Sequence, residues 1–255
     1  MLRLCGRDSV SAPAFRPPTD SVRTTAADGG PTHGGRYSVT NSHGAVYKRD
    51  FWAEENTKFA RPHHRMLKVA RVVNRLADGK DCRLLDVGCG PAALEQLVAP
   101  NIQYFGIDIA IQEPSPNLKE CDILQEPICS DQAPFDLIVA QGLFEYLADS
   151  QSRKFAEIAD LLTPHGKFIV SYVNFDHRRP SYYWPYSNIQ SSAQFRDSLA
   201  KHFVIEKQMP TAHNWNHSEP ERWYVRAPSM RVNRNIPFLT SRLGVEYLYV
   251  CRLPR

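Results

Sequence analysis

One segment, RLLDVGCGPAALEQL at residues 83–97, constrains the fold of this chain more than any other stretch. Its apolar start predicts a short buried strand, Gly88 and Gly90 predict a turn, and the run at 92–98 predicts a helix. A strand that enters a helix through a glycine turn is the first part of a βαβ unit. The chain is therefore expected to contain a parallel sheet with helices packed against it.

Strand and helix patterns alternate along the rest of the chain. Further strands are predicted at 104–107, 118–121, 135–142, 167–173, 203–208 and 245–253. Helices are predicted at 47–59, 62–78, 152–162 and 192–203, and TPHG at 163–166 is predicted to be a turn. The alternation predicts an α/β fold with a doubly wound, seven-stranded, mostly parallel sheet and helices on both faces.

Composition divides the chain into a tail and one domain. Residues 1–45 are rich in Pro, Gly, Ser and Thr, which predicts disorder, and residues 46–255 are predicted to form a single domain. Within it, insertions on the acceptor side are expected near 174–192 and 209–242. The sequence contains no stretch of about 18 consecutive apolar residues, so no membrane span is predicted. The six cysteines are scattered without a CxxC pair, which favours reduced thiols and a cytoplasmic location.

The glycine turn is compatible with two kinds of ligand. Its spacing, Gly88-x-Gly90-x-x-Ala93, is one form of the dinucleotide fingerprint, so an NAD-dependent reductase is one alternative. Asp86, two residues before the first glycine, argues against this because its carboxylate would repel a pyrophosphate. The ammonium and sulfonium groups of S-adenosylmethionine would instead be attracted. The turn therefore favours S-adenosylmethionine over a dinucleotide.

Five segments between Arg83 and Val173 resemble, in order, the motifs of class I S-adenosylmethionine-dependent methyltransferases. They are LLDVGCGPA, YFGIDIA, CDILQEP, FDLIVAQGLFEYLAD and LLTPHGKFIVS. One position departs from the family pattern, since Ala92 stands where the first motif has its third glycine. The stretch 173–199 is also partly similar to MetW-like methyltransferases. The resemblance implies an S-adenosylmethionine-dependent enzyme whose last strand runs antiparallel to its neighbours.

The resemblance also implies a cofactor site at the ends of the strands. Asp108, at the end of the second strand, matches the acidic residue that holds the ribose hydroxyls. Asp122 matches the residue that takes the adenine amino group, and Ile123 the residue that packs on the ring. The full set of expected cofactor-binding residues is Asp86, Gly88, Cys89, Gly90, Asp108, Ile109, Asp122, Ile123, Gln141 and Leu143. No metal site is predicted.

Three residues are candidates for catalysis, because a base with a pKa near neutrality assists methyl transfer to a hydroxyl or an ammonium. His177 follows the fifth strand, and His213 lies in the expected insertion before the last strand. The alternative for both is a solvated loop histidine. Glu145 follows the fourth strand, and its alternative role is to orient that loop.

The expected partner is a small-molecule acceptor, methylated on oxygen or nitrogen. RNA or protein methylation is an alternative, and so is a non-catalytic subunit that binds the cofactor for another enzyme. Nucleic acid is disfavoured because the net charge is only +4 and AQGLFEY lacks the Asn/Asp-Pro-Pro-aromatic motif of enzymes that methylate amide or adenine nitrogens. No membrane partner is expected. The aromatic stretch SYYWPY at 181–186 suits closure over an aromatic or cationic acceptor, and its alternative role is a contact with the sheet edge or with a second copy in a homodimer.

Overall fold

A single mixed sheet forms the centre of the computed structural model, which describes residues 49–62, 64–128, 132–175, 190–214, 231–232 and 244–255. All of these residues belong to one of the two compact units into which the chain divides. The strands are β1 (Cys82–Val87), β2 (Ile102–Asp108), β3 (Leu118–Glu120), β4 (Phe135–Ala140), β5 (Leu162–Val173), β6 (Val204–Asn214), β7 (Arg231–Val232) and β8 (Gly244–Arg252). The predicted tail at 1–45 and much of both predicted insertions lie outside the described residues.

The strand order is β3-β2-β1-β4-β5-β8-β6-β7. Strands β1 to β5 pair in parallel, whereas β8 is antiparallel to both β5 and β6. All seven predicted strands are present, and the two-residue β7 is added at the edge beside β6. The predicted doubly wound sheet with an antiparallel last strand is therefore confirmed. The order reverses between β1 and β4, and in such sheets ligands bind beyond the carboxyl ends of the strands at that point.

Helices pack on both faces of this sheet. The α-helices of the described residues are α1 (Arg49–Asn56), α2 (His64–Ala77), α3 (Gln151–Leu161) and α4 (Ser192–Ala200), of which the last three lie on the faces. On one face, α2 buries Val69 and Val73 against β1, β4 and β5, because its apolar residues recur every three or four positions. On the other face, α3 and α4 enclose an aromatic cluster in which Phe144 stacks on Phe155 at 4.5 Å. Among the described helices, none is both long and apolar enough to span a membrane.

The predicted helix at 92–98 is wrong, because the glycine turn extends further than its two glycines. Gly88, Gly90 and Ala92 have φ angles of 75°, 54° and 53°, which belong to the left-handed region and interrupt a right-handed helix. The chain continues through turns into a single 3₁₀ turn at Glu95–Leu97. Ala92 thus holds a conformation that costs a non-glycine residue about 1–2 kcal/mol. Residue 92 is also the position at which this chain departs from the family's third glycine, and a glycine there would adopt this φ angle without strain.

Two strand boundaries also differ from the predictions. Leu162 pairs with Phe135 and Lys167 pairs with Leu137, so the predicted turn at 163–166 is a bulge inside β5. Strand β6 continues to Asn214 instead of ending near residue 208, because it pairs along the length of β8. In both places the pairing with a neighbouring strand overrides the local turn signal.

Gly106 of β2 makes room for the glycine turn. A Cβ atom at this position would lie 2.8 Å from both the Sγ atom of Cys89 and the Cδ2 atom of Leu118. We expect Gly106→Ala to lower the free energy of unfolding by about 1–3 kcal/mol, as overpacked cores do, in urea denaturation. Adding Cys89→Ala should recover part of this loss by removing the sulfur. If the losses of unfolding free energy of the two single variants simply add in the double variant, the sulfur of Cys89 is not what the added methyl group of Gly106→Ala collides with.

Candidate functional site

The carboxyl ends of the parallel strands bring the predicted cofactor residues to one edge. Asp86 lies near the end of β1, Asp108 ends β2, and Gln141 directly follows β4. The amides of Gly88 and Cys89 donate to the carbonyl oxygen of Ile107 at 2.8 and 3.0 Å. These two bonds fix the glycine turn against the end of β2, so the two segments form one rigid wall.

Asp108 is the centre of this wall. Its Oδ2 atom accepts from the backbone amide of Gly90 at 2.9 Å, and its Oδ1 atom accepts from the amide of Ala110 at 2.9 Å. The side chain of Asn56, at the end of α1, donates from Nδ2 to the same Oδ1 at 3.2 Å. Three donors therefore hold the carboxylate in place, two of them from the backbone. Ile109 follows it and is partly buried.

Asp86 lies beneath the turn and is only 5% exposed. The hydroxyl of Tyr104 donates to its Oδ2 atom at 2.8 Å. Burial, supported by the nearby charge of Asp108, raises the pKa of Asp86 to about 7, although the Tyr104 bond acts in the opposite direction. A cation placed beside Asp86 would favour its ionised form. Burial also raises the pKa of the neighbouring Cys89 thiol, which makes it an inert packing group.

The segment after β3 carries Asp122 and Ile123. The Oδ1 atom of Asp122 accepts a hydrogen bond from the amide of Leu124 at 3.0 Å, which stabilises the turn after β3. Ile123 is largely buried in the core. Lys154 of α3 anchors the end of this segment: its Nζ atom donates to the carbonyl of Glu126 at 2.9 Å and to Glu157 at 2.6 Å. Glu157 in turn accepts from the amide of Ile128 at 2.9 Å, so hydrogen bonds from the backbone of this segment to Lys154 and Glu157 fix the predicted adenine-binding segment to α3.

Leu143 faces the glycine turn from the loop after β4, and Gln141 is the first residue of that loop. A Cβ atom on Gly88 would lie 3.2 Å from Cδ1 of Leu143, so the missing side chain of this glycine is what lets the loop approach. The Nε2 atom of Gln141 is buried and has no hydrogen-bond partner within the described part of the chain. An unpaired buried amide of this kind is suited to a ligand that supplies an acceptor.

Helix α1 packs over this edge. Arg49 forms a two-pronged ion pair with Glu120 of β3 at 2.8 and 3.0 Å, and Gln112 donates to the carbonyl of Ala53 at 3.1 Å. Trp52 meets the ring of Tyr146 edge-on, with centroids 5.1 Å apart. The helix therefore joins the β2–β3 side of the edge to the loop after β4.

Glu145 belongs to a second polar group, at the end of β5. Its side chain is 3% exposed, and its Oε1 atom accepts from the amide of Val173 at 3.1 Å. Glu246 of β8 lies opposite Val173 in the sheet and is also buried. The Oε2 atom of Glu246 accepts from Thr211 at 2.7 Å and lies 3.3 Å from a guanidinium nitrogen of Arg65. Among the described residues, Oε2 of Glu145 and Oε1 of Glu246 have no hydrogen-bond partner.

The two carboxyl groups have opposite pKa shifts. Burial, reinforced by the charge of Glu246, raises the pKa of Glu145 to about 8. Burial also acts to raise the pKa of Glu246, but the charge of Arg65 and hydrogen bonding by Ser171 and Thr211 outweigh it and lower the pKa. At neutral pH, Glu145 therefore carries a proton while Glu246 is ionised. A pair of acids separated in this way is common at catalytic sites.

The other two catalytic candidates are placed differently. His177 lies outside the described residues. His213 lies on β6, where its backbone pairs with Gly244 and Val232, and not in the loop that we predicted. No local pattern in the sequence predicted a role for Asn56 or Thr211. Glu246 could have been recognised from the sequence, because it is a charged residue inside the otherwise apolar strand VEYLYV.

Comparison with known sequences identifies one family. The family model described as a methyltransferase domain matches residues 61–217, which is more than half of the chain. The cyclopropane-fatty-acyl-phospholipid synthases of two Escherichia coli strains, K12 and O6:H1, are each 26% identical over 156 residues. This match covers 54% of this chain but only 40% of each synthase, so the chain spans well under half the length of these curated relatives.

Comparison with solved structures supports the fold. The methyltransferase that forms a complex with the Haloferax volcanii Trm112 activator superposes with a TM-score of 0.56 at 20% identity, covering 82% of this chain and 98% of that chain. The N-methyltransferase NodS from Bradyrhizobium japonicum WM9, in complex with S-adenosyl-L-homocysteine, has a TM-score of 0.48 at 15% identity, with 84% and 100% covered. Only the first of these two similarities supports the fold, and at 20% identity it concerns the fold alone.

Proposed function

This chain belongs to the class I S-adenosylmethionine-dependent methyltransferases, and from this premise we propose that it methylates an oxygen or nitrogen atom of a small-molecule acceptor. S-adenosylmethionine is the methyl donor. When bound, it supplies a methyl group activated by the sulfonium, so the protein mainly has to align the acceptor and exclude water.

The residues at the carboxyl edge fit this cofactor. The fixed carboxylate of Asp108 suits a ribose diol, since each hydroxyl can donate to a carboxylate oxygen. Asp122 would take the adenine amino group beside Ile123, and the unpaired amide of Gln141 would donate to the ligand. Asp86 would face the cationic methionine part. The cofactor site would be lined by the backbone of Gly88, Cys89 and Gly90. Ile109 and Leu143 would add apolar side chains to the lining.

One observation carries the proposed acceptor chemistry. Glu145 is buried on the loop that approaches the glycine turn, and its Oε2 atom has no partner among the described residues. We infer that this oxygen, in the ionised fraction of Glu145 that grows as the pH approaches 8, receives the proton that a hydroxyl loses during its attack on the methyl carbon or that an ammonium loses before it. Burial, reinforced by the charge of Glu246, raises the pKa of Glu145 to about 8, close to the range in which proton transfer is efficient. His177 and His213 remain alternative bases.

The small size of the acceptor is supported by the burial of this carboxyl group. A group that is 3% exposed is reached by a narrow substituent more easily than by a polymer. We also propose a cytoplasmic location, which the buried thiols of Cys82, Cys89 and Cys251 favour, and we keep a homodimer as part of the proposal. The alternatives are RNA or protein methylation and a non-catalytic role.

A labelling experiment tests this function. The protein is incubated with methyl-labelled S-adenosylmethionine and a host extract, which is then separated into organic-soluble, aqueous small-molecule and macromolecular fractions. We expect label in the aqueous small-molecule fraction that resists nuclease and protease, and much less label with the Asp108→Ala variant at a limiting concentration of the cofactor. Label in the macromolecular or lipid fraction would overturn the acceptor class. Tight cofactor binding without any transferred label would indicate the non-catalytic role.

A further inference from the structure

Asn56 donates a hydrogen bond to Asp108, the residue that is expected to bind the ribose hydroxyls of the cofactor. Its side chain is 4% exposed, at the end of α1. Its Nδ2 atom donates to Oδ1 of Asp108 at 3.2 Å and to the carbonyl of Ala110 at 3.3 Å. A Cβ atom on Gly90 would lie 3.3 Å from the Oδ1 atom of Asn56. The amide is therefore enclosed between the glycine turn and the end of β2.

The number of acceptor positions on Asp108 limits what can bind there together. A carboxylate offers about four lone-pair positions. Gly90, Ala110 and Asn56 occupy three of them with the donors given above. A ribose diol brings two more donors, which makes five donors for about four positions. The donors of Gly90 and Ala110 are backbone amides, so Asn56 carries the only one of the three that a side-chain rotation can withdraw.

We propose that Asn56 is a further cofactor-site residue, which occupies a ribose-hydroxyl position on Asp108 and withdraws when the ribose diol binds. The amide keeps a partner after it leaves Asp108, because the carbonyl of Ala110 lies within reach. This inference rests on the proposed ribose-binding role of Asp108. It is independent of what the acceptor is.

Helix α1 has attachments that do not depend on the hydrogen bond between Asn56 and Asp108. The same helix carries Trp52, which packs on Tyr146, the residue next to Glu145. Arg49 and the carbonyl of Ala53 tie α1 to the β2–β3 side by bonds that do not involve Asp108. Release of Asn56 therefore loosens one attachment of α1 while the others keep the helix in place.

The test compares two ligands that differ by one hydroxyl. The affinities of S-adenosylhomocysteine and of its 2′-deoxy analogue are measured by calorimetry on the full chain and on Asn56→Ala. We expect the variant to bind S-adenosylhomocysteine about three- to tenfold more tightly, the range of one ordinary hydrogen bond. The deoxy analogue needs only one position on Asp108, so its affinity should be the same for both proteins.

Arg49→Gln is the matched control, since it removes an attachment of α1 without touching Asp108. We expect it to leave both affinities unchanged. Weaker binding of S-adenosylhomocysteine by Asn56→Ala would make Asn56 a direct ligand and overturn the proposal. An equal gain for both ligands, or a gain shared by Arg49→Gln, would show that only the docking of α1 matters. An unchanged affinity would also overturn it.

Discussion

Replacing Asp108 by alanine is expected to weaken the binding of S-adenosylhomocysteine at least tenfold. Hydrogen bonds to a charged group contribute about 1.5–3 kcal/mol, and 1.4 kcal/mol corresponds to a factor of ten in affinity. The variant also loses the acceptor for Gly90 and Ala110, so the glycine turn itself becomes less ordered. Calorimetric titration measures the affinity, and circular dichroism checks that the variant is folded.

Asp136→Ala is the control for this variant. Asp136 also accepts two hydrogen bonds, from the amide of Arg83 at 2.9 Å and from Thr163 at 3.3 Å, but it lies at the start of β4, on the opposite edge of the sheet. The Asp136→Ala variant should be less stable than the unaltered protein but should bind S-adenosylhomocysteine with the same affinity. If Asp108→Ala binds as tightly as the unaltered protein, the cofactor site lies elsewhere and the Asn56 proposal loses its premise.

Glu145→Gln is expected to reduce the rate of methyl transfer by a factor of about 10²–10⁴, the usual contribution of a general base. Glutamine keeps an oxygen for the amide of Val173 but cannot take up a proton. In the unaltered protein the rate should rise with pH around the pKa of Glu145, which is about 8. The variant should show no such rise. The rate is followed from pH 6 to 9.5 with the acceptor that the labelling experiment identifies.

Glu246→Gln provides the companion measurement. The charge of Glu246 helps to raise the pKa of Glu145, so its removal should move the midpoint of the pH–rate profile to lower pH. A structural role of Glu145 would not produce this shift. If Glu145→Gln stays within twofold of the unaltered rate at every pH, Glu145 only orients its loop, and His177 and His213 become the candidates to test.

The raised pKa of Glu145 also has a consequence for stability that needs no acceptor. The folded chain keeps this proton up to a pH of about 8, whereas the unfolded chain loses it near 4.5. Stability should therefore fall as the pH rises between these values, with a slope of up to about 1.4 kcal/mol per pH unit for each such group. Asp86 acts in the same direction between 3.8 and about 7. Glu145→Gln should flatten the pH dependence of urea denaturation.

Local patterns were sufficient for most of the fold. Buried parallel strands are continuous apolar runs, so FDLIVA and the start of β1 were recognisable without their neighbours. The helix predicted at 92–98 failed because the backbone of Ala92 is held in a left-handed conformation, which its alanine side chain does not suggest. The bulge at 163–166 and the long β6 depend on their partner strands.

The same division applies to the candidate site. The sequence by itself determined the residues that follow from strand ends, such as Asp86 and Asp108, because parallel strands necessarily bring their carboxyl ends to one edge. Only the tertiary structure decided the partners of those residues. Asn56 reaches Asp108 across 52 positions, and Glu246 meets Thr211 across 35. Contacts between such distant segments depend on packing, and packing leaves no local pattern in the chain.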